Sequence, residues 1–429
     1  MKVASFALGC KVNQAESEAV AEEFALRGYE IVGIEDFADI YVINTCSVTN
    51  YGDKKSRQLL RRVKKLNKDA VVVASGCYAQ VSKDEVEKIA EVDLTVGTSG
   101  RNKIVDEVEN FLKDRKKRSF VTDVMSNREF EKISVNKLAG RTRAYIKIQD
   151  GCSQFCSYCI IPYARGPIRS RDEKDILDEV GVLEKNGFKE IVLTGIHVAS
   201  YGKDTHSDNL TELIKKVSCF DKIERIRLSS IEPNIVTDEF IEAIQKMPKL
   251  AHHFHLSLQS GCDKTLKAMN RHYTSAGFEK AVNMLRAVWP DVAVTTDIIT
   301  GFPGETDADF EESCAFAKKI GFSKIHVFPF SPKKGTPAAE MPLQIQSETK
   351  TARSAKLIAL SEQCEKAFGS GYIGKSLPVL FEHKNGDYFE GHTSNYINVW
   401  VKTNDEIKNQ MKNVYIEQYE NERAYGRLN

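Results

Sequence analysis

Short apolar runs that alternate with segments of helical spacing constrain this chain most, because strands buried on both faces need helices to cover them. Near the start, Lys2 to Leu8, Ile40 to Asn44 and Ala70 to Ser75 read as strands of a parallel sheet, with Gln14 to Arg27 and Lys54 to Leu66 as its helices. A polar, basic stretch from Lys113 to Arg143, with Arg141 inside it, reads as a connection. A second alternation follows. Its strands are Ala144 to Ile148, Glu190 to Leu193, Arg225 to Leu228, Phe254 to Leu258, Val292 to Ile299 and Ile325 to Phe328. Helical segments such as Asp172 to Lys185, Asp238 to Gln245, Phe278 to Val288 and Asp307 to Lys319 separate them. Six βα units in series suit a parallel barrel or a partial one.

After a long helix expected over Ser347 to Phe368, the chain changes character. Val379-Leu380-Phe381, Tyr388-Phe389 and Ile397 to Val401 are separated by Asn-Gly and Gly-His turns, which predicts a small β-barrel. The fold expected is therefore α/β: an N-terminal parallel α/β domain over 1–115, a linker over 116–140, a partial (β/α)6 barrel over 141–370 and a small β-barrel over 371–429.

Several partners and compartments are set aside by what the chain lacks. Met1 to Phe6 runs into the first strand without a signal-peptide pattern, and no apolar run reaches the roughly 18 residues of a membrane helix, so a cytoplasmic protein is expected, with no membrane partner. A formal net charge of +1 means that any nucleic-acid surface must be a local patch. In a reducing compartment ten cysteines point to metal or redox chemistry rather than to disulfides.

The sharpest signal is Cys152-Ser153-Gln154-Phe155-Cys156-Ser157-Tyr158-Cys159, which follows the first barrel strand, at the end of the barrel where such folds carry their chemistry. Three thiolates can hold three corners of a four-iron cluster and leave one iron open. A zinc site is the alternative, but it wants a fourth ligand and none is close in sequence. Cys10, Cys46 and Cys77 share a second pattern, each with one residue between it and the end of a predicted strand of the first domain. Parallel strand ends lie on one edge, so these thiols can meet at a crevice outside the sheet and again hold a cluster; buried structural cysteines are the plainer alternative. Cys219, Cys262, Cys314 and Cys364 are scattered and read as structural.

The two cysteine triplets, together with the tail, resemble the methylthiotransferase family of radical S-adenosylmethionine (SAM) enzymes along the whole chain. Gly9 to Gln14, Asn44 to Thr49 and Gly76 to Gln80 carry the likeness in the first domain. Leu193 to His197, Leu228 to Pro233, His255 to Gly261, Asp297 to Thr306 and Phe330 to Ala338 carry it in the barrel, and Gly391 to Tyr396 resembles a TRAM domain, an RNA-binding barrel. The resemblance implies two 4Fe-4S clusters and SAM as cofactors. It makes Cys152, Cys156 and Cys159 the ligands of the SAM-binding cluster, and Cys10, Cys46 and Cys77 those of an auxiliary cluster. SAM is cleaved to a hydrogen-abstracting radical on the first cluster, and sulfur is methylated and transferred from the second. Tyr158, Gly195, Glu232, Gln259 and Gly301 become candidate SAM contacts. Gly195 and Gly301 admit close backbone approach, and Glu232 or Gln259 is suited to bond the ribose or the amino group. An electron donor such as flavodoxin or ferredoxin is implied as well. His253 and His255 share a strand face and read as packing or pocket residues.

The family acts on adenosine beside the tRNA anticodon or on an aspartate of a ribosomal protein. The block Gly9-Cys10-Lys11-Val12-Asn13-Gln14 looks most like the branch that methylthiolates C2 of N6-threonylcarbamoyladenosine at position 37, with the isopentenyladenosine and ribosomal-protein reactions as alternatives. A non-catalytic iron–sulfur RNA-binding protein and a two-cluster electron carrier are the rivals from other classes. A basic run of Lys54, Lys55, Arg57, Arg61, Arg62, Lys64, Lys65 and Lys68 can hold the phosphates of an anticodon loop, or it is only a solvated helix face. From Tyr372 onward acidic residues slightly outnumber basic ones, so a grip there would rest on shape and on Tyr388, Phe389, Tyr396 and Trp400.

Overall fold

A computed structural model describes residues 1–133, 142–205 and 209–429. The first sheet comprises β1 (Lys2–Ala7), β2 (Glu30–Ile31), β3 (Ile40–Thr45), β4 (Val71–Gly76), β5 (Leu94–Val96) and β6 (Arg118–Phe120), all parallel, in the order β2-β1-β3-β4-β5-β6. Helices cover both faces because consecutive residues of each strand are apolar. Val3, Ile40, Val42, Val71 and Val73 pack against Val20 and Phe24 of α1 (Lys11–Leu26), while Ala4, Tyr41, Ile43, Val72 and Ala74 pack against Leu60 and Val63 of α2 (Asn50–Leu66).

The basic connection begins later than the sequence suggests. Residues 118–120 form β6 beside β5, and Lys117 Nζ donates to the carbonyls of Ala90 (2.8 Å) and Val92 (2.7 Å), so hydrogen bonding overrides the polar composition and extends the first unit past residue 115. Arg143 opens a barrel strand rather than closing a linker. The part of the expected linker over 134–140, and Arg141, lie outside the described residues.

The second unit contains β7 (Arg143–Asp150), β8 (Arg169–Ser170), β9 (Glu190–Gly195), β10 (Arg225–Leu228), β11 (His253–His255), β12 (Ala293–Thr300) and β13 (Lys324–Pro329). Six of them run parallel in chain order; bridges at Ile226–Leu250 and Ile231–Leu256 join β10 to β11, and β8 is a short antiparallel addition beside β7. No pairing joins β7 to β13 among the described residues, so the barrel is partial. Helix α1 of the first unit packs on β7 and β9, and the helix Ser347–Ser370 packs on β13.

The tail closes into a five-stranded barrel of β14 (Ser376–Asn385), β15 (Tyr388–Thr393), β16 (Asn398–Lys402), β17 (Met411–Glu420) and β18 (Arg423–Leu428), around Val379, Phe381, Phe389, Val399 and Ile416. It docks on the N-terminal ends of the large barrel's strands. Arg225 Nη1 donates to His392 O (2.9 Å), Arg227 Nη1 to Ser394 O (3.0 Å), and Arg143 to the Tyr396 hydroxyl (3.0 Å).

Candidate functional site

Each of Cys10, Cys46 and Cys77 directly follows the residue, or the short turn, that ends a strand of the first sheet. The order reverses between β1 and β3, which opens a crevice at the carboxyl edge of the sheet, and Cys10 and Cys46 stand on its two sides. Two glycines make the convergence possible. Gly9 has φ +103°, and a Cβ there would lie 2.8 Å from Cys46 Sγ; Gly76 has φ +92°, and its Cβ would lie 2.1 Å from Asn44 Oδ1. Only glycine satisfies both the left-handed backbone and the close approach. Burial, with Cys77 and Cys10 nearby, pushes the Cys46 thiol up to about 12, and burial and Cys10 also raise Cys77.

The second trio sits on the loop after β7. Cys152 N donates to Gly166 O (3.0 Å), Ser157 N to Met269 O (3.0 Å) and Ala338 N to Ser157 O (2.8 Å), so the loop is pinned from three sides. Burial drives Cys152 to about 11 and Cys159 to about 12, with the neighbouring cysteines adding to the rise. Among the described residues no three His, Cys, Asp or Glu side chains are grouped so that they could hold a metal ion as they stand. Thiolates crowded in this way repel one another, and cationic iron removes that repulsion, so both donor sets suit a cluster held by three thiolates.

A cavity of 220 Å³ lies between the two units, lined by Val48 and Thr49 from the first and by Tyr158, Gln259, Asp297, Ile299, Phe328 and Phe330 from the second. Gln259 has φ +71°, a strained conformation for a side-chain-bearing residue, and its backbone is clamped by Gln259 N to Asp297 O (2.8 Å) and Ile299 N to Gln259 O (2.9 Å). Glu232 stands elsewhere. Its carboxylate meets His197 Nε2 (3.2 Å) and Arg271 Nη2 (2.8 Å), and although burial opposes its charge, these partners hold it below the usual range. Arg271 Nη1 also reaches Cys156 Sγ at 3.1 Å.

At Gly195 and Gly301 the protein's own packing leaves no room for a side chain. The place of a Cβ is taken at Gly195 by Gln149 Oε1 (2.9 Å) and at Gly301 by Lys350 Cγ (2.2 Å), so the crowding comes from the protein itself. His253 and His255 do share one face, and both bond Thr295.

Arg271 and Arg165 were not found by motif reading. Arg271 comes from a remote turn with no local pattern. Arg165 does have a trace, since it follows the cysteine loop within Pro162-Tyr163-Ala164-Arg165-Gly166 and is fully buried.

Comparison with known proteins agrees with this layout. Residues 146–317 match the model of the radical SAM superfamily, and residues 2–97 match the uncharacterized protein family UPF0004. The chain is 42% identical over 420 residues to the threonylcarbamoyladenosine tRNA methylthiotransferase MtaB of Bacillus subtilis, covering 96% of this chain and 93% of that protein. It is 39% identical to the protein of that name from Aquifex aeolicus (93% and 96% covered) and 35% identical to a tRNA-2-methylthio-N(6)-dimethylallyladenosine synthase of Methylacidiphilum infernorum (97% and 92%). Among solved structures, the radical SAM methyltransferase TsrM of Kitasatospora setae superposes with a TM-score of 0.56 at 14% identity, over 79% of this chain and 74% of that one, a likeness of fold.

Proposed function

The chain belongs to the tRNA methylthiotransferases of the radical SAM superfamily, and from that premise we propose that it methylthiolates C2 of N6-threonylcarbamoyladenosine at position 37 of tRNA. SAM and two 4Fe-4S clusters are its cofactors. When bound, they supply the electron, the radical that activates the ring carbon, and the methylated sulfur.

The observation that carries the reading is the cavity at the seam between the two cysteine trios. Cys152, Cys156 and Cys159 would hold one cluster and Cys10, Cys46 and Cys77 the other. Val48, Ile299, Phe328 and Phe330 give the cavity apolar walls that exclude water and suit the faces of a purine, while Gln259 and Asp297 offer polar groups to its edge. Val48 and Phe328 are also partly exposed at 52% and 44%, so the cavity opens to a base unstacked from a loop. Glu232 and Arg271, adjoining the Cys152–Cys159 loop, are placed to orient the charged ends of SAM.

The names of the relatives favour the threonylcarbamoyl substrate over the isopentenyl one. Three of the relatives with the highest identity carry the threonylcarbamoyladenosine name. Mass spectrometry of nucleosides from tRNA of cells lacking the protein tests the reading. The 2-methylthio form of threonylcarbamoyladenosine should vanish; its persistence, with loss of the isopentenyl analogue, would reassign the substrate.

A further inference from the structure

Arg165 is fully buried and spans the two cysteine trios. Its backbone belongs to the second, since the adjoining Gly166 O accepts from Cys152 N (3.0 Å) and Arg165 O accepts from Arg169 Nη1 (2.8 Å). Its side chain crosses to the first. Nε lies 3.4 Å from Cys77 Sγ, Nη1 donates to Glu16 (2.7 Å) and Asp150 (3.0 Å), and Nη2 donates to Asn13 Oδ1 (2.7 Å) and Glu16 (3.0 Å). Each of its five N–H groups thus has an acceptor, and a guanidinium held at every donor cannot turn away from the sulfur.

The surrounding charges do not balance without that sulfur. Among the described residues, Arg101, Lys147, Arg165 and Arg169 form one buried network with only Glu16, Asp150 and Glu131. Four cations face three carboxylates, and the buried Cys77 thiolate is the fourth anion. A donated hydrogen bond and a positive charge beside a cluster thiolate both favour the more negative, reduced cluster.

We propose that Arg165 is a positioning residue for the auxiliary cluster: its guanidinium anchors the Cys77 thiolate, fixes that cluster relative to the Cys152 loop, and raises its reduction potential. This rests on the reading that Cys10, Cys46 and Cys77 hold a cluster, and the test separates the two claims. In full-length chain with Cys152, Cys156 and Cys159 changed to Ala, anaerobic reconstitution leaves only the auxiliary site to fill, and a redox titration followed by electron paramagnetic resonance reads its potential. Arg165→Gln should lower the potential, and Arg165→Lys, which keeps the charge but not the fork, should lower it less. Glu16→Gln, which removes a counter-charge and leaves Nε on the sulfur, should raise it. Should Arg165→Gln fail to fold, the upward shift in Glu16→Gln still carries the test. Unmoved potentials in variants that retain about four irons, even with a lowered unfolding temperature, would reduce Arg165 to a structural ion pair and overturn the proposal. No iron in the parent with Arg165 intact would instead remove the cluster assignment, and the proposal with it.

Discussion

At the scale of single residues, the auxiliary cysteines depend on neighbours that carry no chemistry. Gly76 ends β4 at φ +92°, hard against Asn44, whose Nδ2 bonds Asn13 O (3.1 Å) and Glu16 Oε2 (3.2 Å). A methyl group at Gly76 must push Asn44 aside and occupy a left-handed conformation, which costs on the order of 1–3 kcal/mol. Gly76→Ala should therefore lower the unfolding temperature and, by displacing Cys77, cut iron after reconstitution from about eight to about four per chain. Full iron content in the folded variant would show that the site tolerates the shift. The Gly-Cys pairs were legible in the sequence because a left-handed strand end demands glycine. Arg165 and Arg271 were not, because a buried arginine is explained only by the sulfur and carboxylates that the fold brings to it.

At the scale of elements, α2 joins the auxiliary site to a charged surface. Thr49 caps it by accepting from Gly52 N (3.1 Å), Asn50 N donates to Ser331 Oγ (3.0 Å), and Lys333 of the large barrel reaches Asp53 and Ser47, so its first turn is bolted to the second unit. It buries Ser56, Leu60 and Val63 and exposes Lys54, Lys55, Arg61 and Lys65, with Tyr51 63% exposed beside the cavity residues Val48 and Thr49. An RNA loop entering the cavity would run its phosphates along this face. Changing the four basic residues to Gln should weaken tRNA binding and reduce the dependence of log Kd on log salt by roughly 0.7–0.9 per lost phosphate contact, with iron content unchanged. An unaltered salt slope would place the tRNA elsewhere.

At the scale of the whole molecule, the two ends of the large barrel do separate work. The cysteine loop and the cavity lie at the C-terminal ends of its strands, and the tail barrel docks about 20 Å away, the length of a six-residue strand, at the N-terminal ends. Glu190 organises that lower end, with Arg143 Nε at 2.8 Å, Arg227 Nε at 3.0 Å and Arg225 Nη1 at 3.2 Å, and the same arginines hold His392, Ser394 and Tyr396 of the tail. Burial opposes the charge of Glu190, but the three arginines hold its carboxyl well below the usual range. Removing its charge strands buried cations, so Glu190→Gln should cost about 3–5 kcal/mol at neutral pH and expose the tail to limited proteolysis. A depressed folded pKa stabilises above the unfolded value of about 4.3 and loses that stabilisation as pH falls through the folded value. The stability gap between parent and variant should therefore be constant near neutrality and narrow below about pH 4. A gap independent of pH, measured by thermal unfolding, would mean that Glu190 acts through packing alone.

The sequence by itself determined the α/β alternation, the six parallel barrel strands, the closed tail and both cysteine trios, because period, turn chemistry and ligand spacing are local properties. It misjudged the connection after residue 115, where β6 is decided by a neighbouring strand. Only the tertiary structure brought the two trios to one seam, placed the tail at the far end of the barrel, and set Arg165 between Cys77 and the Cys152 loop. These depend on residues 88 or more positions apart meeting in a buried, low-dielectric interior, where an unmatched charge is costly and each ion must find its partner across the fold.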